Sequence, residues 1–181
     1  MSNPNTSSGE SPMVTGLFRD RDSAERAYES VSARGYERDD VNLLMSDETR
    51  KTHFSGDDPG TTSELGSKAA EGAGIGGAIG GTVGAIAAAL AAVGTSIAIP
   101  GLGLIVAGPV AAALAGAGAG GLTGGLVGAL VGWGIPEERV SRYEQGIKEG
   151  GILMGVKSRS GEDAKHFESE WKRNRGEDVY Q

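Results

Sequence analysis

Two runs organise this chain: Gly72-Ala-Gly-Ile-Gly76-Gly-Ala-Ile-Gly80-Gly-Thr-Val-Gly84 and Gly116-Ala-Gly-Ala-Gly120-Gly-Leu-Thr-Gly124-Gly-Leu-Val-Gly128-Ala-Leu-Val-Gly132. In each run glycine recurs at every fourth residue. On an α-helix, positions i and i+4 share a face, so each run makes a groove without side chains. Such a groove lets another helix backbone approach closely, as in GxxxG contacts. Each interior glycine costs a helix about 1 kcal/mol relative to alanine, so close packing has to offset the pattern. The runs also match each other. Gly72/Gly132, Gly76/Gly128, Gly80/Gly124 and Gly84/Gly120 have one common numerical total, the condition for opposed residues in an antiparallel pair. The centre of that pairing is Leu102, and Pro100 and Pro109 interrupt helical continuity on either side. The spacing predicts a long helix–tip–helix hairpin with its glycine faces in contact.

Outward from the runs, no Asp, Glu, Lys, Arg or His occurs over the 64 residues from Gly72 to Ile135. Glycine makes up 32 of the 181 residues, and 20 of them lie in this window. A second stripe of Ile75, Ile79, Val83, Ile86, Leu90 and Val93 lies about 100° round from the glycines of the first run. Helices of about 25–30 residues are roughly 38–45 Å long, enough to cross a hydrocarbon core of about 30 Å. The tip residues Ile97, Ile99, Leu102, Leu104, Ile105 and Val106 are uncharged, and Trp133 stands at the base, where an interfacial aromatic belongs. Six aliphatics give only about −2 to −4 kcal/mol on the insertion scale, so insertion is weakly driven. A soluble homo-oligomer whose hairpins bury their outer faces on one another is the alternative, because a monomer in water exposes large apolar patches.

The flanks are polar and predict an α/β unit. Met13–Phe18 is a β-prone run, and Asp22 with Glu25 has capping-box spacing. Ala24, Ala27, Tyr28 and Val31 form an apolar helical stripe that Gly35 stops, before a second strand at Val41–Met45. Beyond the window, Pro136-Glu137-Glu138 starts a helix with Val140, Tyr143 and Ile147 inward, and Gly150-Gly151 ends it. Ile152–Val156 is a third strand. Ser160 caps a last helix with Ala164, Phe167 and Trp171 inward. The expectation is an α+β, ferredoxin-like-related three-stranded layer, assembled from both ends of the chain, with the glycine hairpin inserted. In segments, residues 1–12 form a disordered tail, 13–62 the first half-domain and a polar loop, 63–135 the hairpin, 136–175 the second half-domain and 176–181 a tail.

Chemistry is sparse. The absence of cysteine removes disulfides, thiolate nucleophiles and cysteine metal sites. His53 in a polar loop and His166 on the last helix read as solvated, and the acidic pairs Asp20/Asp22, Asp39/Asp40 and Asp57/Asp58 as caps and loops. The net charge of −7 argues against nucleic acid, which needs a basic face. Gly72–Gly77 and Gly116–Gly121 both satisfy G-x-G-x-x-G, yet neither follows a predicted strand and no acid follows about twenty residues on, as a dinucleotide site requires. No catalytic, cofactor or metal constellation emerges, and no small-molecule substrate is indicated. The opening MSNPNTSSGESP lacks the charged and apolar regions of a secretory signal, so the expected compartment is the cytoplasm.

Val14–Phe18 followed by Arg19-Asp20-Arg21-Asp22-Ser23-Ala24-Glu25, then Gly35-Tyr36 and Val41-Asn42, resembles the bacterial heat-induced general stress protein domain. Gly132-Trp133-Gly134-Ile135-Pro136 and Gly150-Gly151-Ile152-Leu153 resemble longer members of that family, so the likeness spans about residues 13–172. It implies a bacterial stress-associated protein without enzymatic activity. The combined expectation is self-association through Gly72, Gly76, Gly80, Gly84, Gly116, Gly120, Gly124, Gly128 and Gly132. Its site would be the cytoplasmic side of the bacterial inner membrane, with Trp133 at the lipid interface; the alternative is a soluble ring or filament in the cytoplasm.

Overall fold

The computed structural model describes residues 12–54, 86, 96–99, 103–109, 111, 130–131 and 133–181. Its first half holds β1 (Met13–Phe18), α1 (Arg21–Ser32), a 3-10 turn at Arg38–Asp40, β2 (Val41–Ser46) and α2 (Asp47–Phe54). Two strands fall inside the uncharged window, β3 (Ser96–Ile99) and β4 (Leu104–Ala107). They are followed by α3 (Glu137–Lys148), β5 (Ile152–Lys157), α4 (Gly161–Arg173) and β6 (Glu177–Tyr180).

The six strands form one sheet in the order β3-β4-β2-β5-β1-β6, with every neighbouring pair antiparallel. The expected three-stranded layer is therefore corrected to six strands. β1 and β2 run parallel with β5 between them, and β5 and β6 run parallel with β1 between them. The result is two interleaved split β-α-β units, to which β4 and β3 add at the β2 edge. The expected tip of the helical hairpin is corrected as well: residues 96–99 and 104–107 are strands in register, Ile97 opposite Val106 and Ile99 opposite Leu104.

Strand alternation sends side chains to two cores. Val14 and Phe18, Leu43 and Met45, Ile105 and Ala107, and Ile152, Met154 and Val156 join the inward residues of α1 and α4. Leu17, Leu44, Leu104, Val106 and Leu153 face the other way, onto Val140, Tyr143 and Ile147 of α3. The predicted stripes on all three helices are buried as expected.

Local signals explain the helix ends. Ser160 caps α4, its hydroxyl accepting from Asp163 N–H at 3.1 Å. In α1 the cap is Asp20 rather than Asp22: Ser23 N–H donates to Asp20 Oδ1 at 2.8 Å, and Asp22 sits in the first turn beside the positive end of the helix dipole. Gly150 (φ +94°) closes α3 in a Schellman turn, with Gly151 N–H donating to the Gly146 carbonyl and Gly150 N–H to that of Ile147. His53 lies on α2 rather than in a loop and is exposed, and His166 is half-buried on α4.

Candidate functional site

All nine zipper glycines, Gly72 through Gly132, lie outside the described residues, as do the expected N-terminal tail to Ser11, the stretch 55–62 of the polar loop and the contact between the two runs. What the structure places is the attachment of the glycine-rich window to the domain, at three points.

The first is Ile86. It is helical and fully buried in the core shared with α1 and α4. Its backbone N–H donates to Glu25 Oε2 at 3.2 Å, and Glu25 is only 6% exposed. The other carboxylate oxygen of Glu25 lies 3.6 Å from Arg21 Nε, one helical turn back. Arg21 in turn donates to the His53 carbonyl at 2.6 Å and sits over the Phe54 ring, 4.9 Å from its centroid. One turn of α1 therefore holds both the last described residues before the window and a residue within it. A buried carboxylate needs such partners, since an unpaired one costs several kcal/mol. Glu25 is a residue that sequence reasoning assigned only to a cap. A glutamate at that spacing is ordinary, and its long-range partner leaves no trace in the local pattern.

The second attachment is the β3–β4 hairpin. β4 pairs with β2 from Leu43 opposite Ala107 to Ser46 opposite Leu104, and Asp47 N–H donates to the Gly103 carbonyl at 2.7 Å. At the end of β4, Gly108 has φ +100°, and a Cβ there would stand 2.3 Å from the Val41 carbonyl oxygen. Only glycine fits that conformation and that approach.

The third attachment is the end of the second run. Leu130 and Val131 are helical. Gly134 N–H donates to the Val131 carbonyl and Ile135 N–H to that of Leu130, with Gly134 at φ +79°: a Schellman stop whose hydrophobic partners Leu130 and Ile135 share one core. The intervening Trp133 is 3% exposed and covers Gly155 of β5, where an added Cβ would lie 3.0 Å from the indole. Trp171 covers Gly16 of β1 on the opposite face in the same way. The structure thus places Trp133 in the core beneath the sheet rather than at a surface available to a lipid interface. Its Nε1 is buried and has no hydrogen-bond partner among the described residues, whereas Trp171 Nε1 donates to the Ala27 carbonyl at 3.2 Å. Val131, beside these residues, is 50% exposed, the single large hydrophobic so exposed among the described residues.

Ile86 and Leu130 thus belong to cores on opposite sides of the sheet. Among the described residues no helix is long and apolar enough to cross a membrane, and no three His, Asp or Glu side chains come together as metal ligands. No protein-family model, curated protein or solved structure matches the chain.

Proposed function

We propose that this chain is a non-enzymatic, bacterial stress-associated protein that self-associates through the glycine faces of its central window, on the inner side of the cytoplasmic membrane. In this reading the sheet domain is a ferredoxin-like cap, and the inserted window supplies the adhesive surface. The carrying observation is the uncharged stretch from Gly72 to Ile135 with glycine at every fourth position in two runs. The exposed Val131 at the end of the second run and the resemblance of residues 13–172 to the general stress domain support it. One observation favours the second reading, a soluble assembly: β3 and β4 hold the middle of the window in the sheet, so that segment cannot enter lipid while the sheet is intact.

The test combines alkaline carbonate wash of membranes with sizing of the Gly80→Leu, Gly124→Leu double variant. Release by detergent alone supports the membrane reading, while a large carbonate-soluble species supports the soluble assembly. The double variant should lose the assembly in either case. Unchanged size and partition would remove the glycine contact from the proposal.

A further inference from the structure

The last strand is joined to the domain by a short, strained turn. Residues 174–176 alone separate α4 from β6. Within that turn Arg175 takes φ +62°, in the left-handed region that a side chain disfavours. Gly176 N–H donates to the Trp171 carbonyl at 2.7 Å, and an added Cβ at Gly176 would stand 2.7 Å from the same oxygen. The Asn174 side chain donates to the Glu170 carbonyl at 2.9 Å and closes the end of α4. A short hinge under strain is the setting in which a strand opens and changes places with the same strand of a second copy.

The seat of β6 is specific. On β1, Thr15 lies opposite Tyr180 and Leu17 opposite Glu177. Val179 is 6% exposed and covers Gly16 together with the Trp171 indole. Arg19 Nε lies 2.8 Å from Glu177, Arg142 Nη1 lies 3.3 Å from Asp178, and Arg139 sits 3.9 Å from the centre of the Tyr180 ring. The Tyr143 hydroxyl donates to the Asp178 carbonyl. Three arginines, a phenol and one apolar slot therefore receive Glu177-Asp-Val-Tyr180. Asp178 takes φ +46°, so the seat also holds a backbone shape that a generic strand does not adopt.

Every copy of the chain carries the strand that matches this seat. Its two carboxylates meet arginines, so the docking site is complementary in charge although the whole chain carries −7. We infer that β6 is an exchangeable strand: the hinge at 174–176 opens, and two copies trade β6, each seated on the β1, α3 and α4 of the other. In the exchanged pair every contact of the seat is remade between copies, while Arg175 leaves the left-handed region at both hinges. The tether opposes exchange, because a strand on a short linker meets its own seat at a millimolar effective concentration. Exchange in the parent chain therefore belongs to copies at about 1 mM and above, and a change that spoils the closed turn brings it to lower concentration. This contact uses none of the glycine faces and goes beyond the self-association proposed above.

Arg19 makes the exchange measurable, because its guanidinium lies against both Glu177 of β6, at 2.8 Å, and Glu149 at the end of α3, at 2.6 Å. In full-length Arg19→Lys, carbodiimide couples the new amine to either carboxylate. Heavy-nitrogen-labelled and unlabelled copies are mixed equally, coupled, digested and weighed. A link to Glu177 changes from one copy to two on exchange, whereas a link to Glu149 stays within one copy. The expected result is mixed-isotope links to Glu177 at about 1 mM, falling at least about tenfold at roughly 10 μM, with links to Glu149 of single isotope throughout. Arg175→Gly relaxes the closed turn and should lower the mixed links about threefold or more. Arg175→Pro fixes φ near about −65° and excludes the closed turn, so mixed links should approach about half of the total even at roughly 10 μM. Single-isotope links alone in both the parent and Arg175→Pro overturn the exchange. Loss of the Glu177 link in Arg175→Pro also overturns it, since the strand is then released without a new seat. Mixed links to Glu149 as frequent as those to Glu177 mark collision between copies and overturn it as well.

Discussion

Tyr143 shows what single residues contribute beneath the sheet. Its hydroxyl donates to the Asp178 carbonyl at 2.7 Å, which leaves it to accept from the Thr15 hydroxyl at 2.9 Å. These bonds tie α3 to β1 and to β6 inside an apolar layer. Burial pushes the Tyr143 phenol from its ordinary value near 10 up to about 12. A folded-state pKa raised above the unfolded one means stability that is fully present below pH 10 and lost as the pH climbs from 10 to 12. Tyr143→Phe should remove that alkaline loss and lower stability near neutrality by about 1–2 kcal/mol, because a buried carbonyl and a hydroxyl lose their partner. Thermal midpoints from pH 7 to 12 for the parent and the variant decide it. Equal alkaline slopes would assign the loss elsewhere. The sequence showed Tyr143 on the inward stripe of α3, but neither hydrogen-bond partner. Thr15 is 128 residues away, and Asp178 lies on a strand too short to show an alternating pattern.

At the scale of elements, the legible parts were those with a local signature. β1, β2 and β5 are apolar runs, α1 and α3 have stripes and glycine stops, and α4 has a stripe and a serine cap. α2 escaped because Asp47–Phe54 buries only Thr49 and Phe54, too little for a stripe. β3 and β4 escaped for the opposite reason. β4, buried at all four positions, is a continuous apolar run, and within an uncharged window such a run looks the same as the turn of a helical hairpin; the sequence of β3 is equally free of charge. The β-branched residues of Ser96–Ile99 and Leu104–Ala107, flanked by Pro100-Gly101 and Gly108-Pro109, were the available signal. Gly108 separates the two readings. In a tip that does not pair with β2, no neighbouring strand opposes a side chain at that position and Gly108→Ala would cost little. In the hairpin described here it forces a side chain into φ +100° and onto the Val41 carbonyl, so it should cost about 2–4 kcal/mol. Urea unfolding of the variant gives the answer, and a cost below about 0.5 kcal/mol would contradict the pairing of β4 with β2.

For the whole molecule, charge and cover are divided. The two cores lie on opposite faces of the sheet, one under α1 and α4 and the other under α3 with Leu130, Trp133 and Ile135. Trp133 illustrates why this cover was not legible. An indole after an apolar run suits a lipid interface or a core equally well, and the deciding partner, Gly155, lies on β5, remote from it in sequence. The central window, β3 included, has no charged residue, and the flanks carry the net charge of −7. The proposed self-association through the window would work against long-range repulsion between copies. Raising the ionic strength from about 0.01 M to about 0.15 M shortens the Debye length from about 30 Å to about 8 Å, so association should tighten severalfold over that range. Contacts made instead by complementary charges, such as Arg142 with Glu177 of a neighbour, would weaken as salt is added. Sedimentation of the full-length chain across that range distinguishes the two by the sign of the change. A loss of assembly with salt would move the interface from the glycine-rich window to the charged flanks.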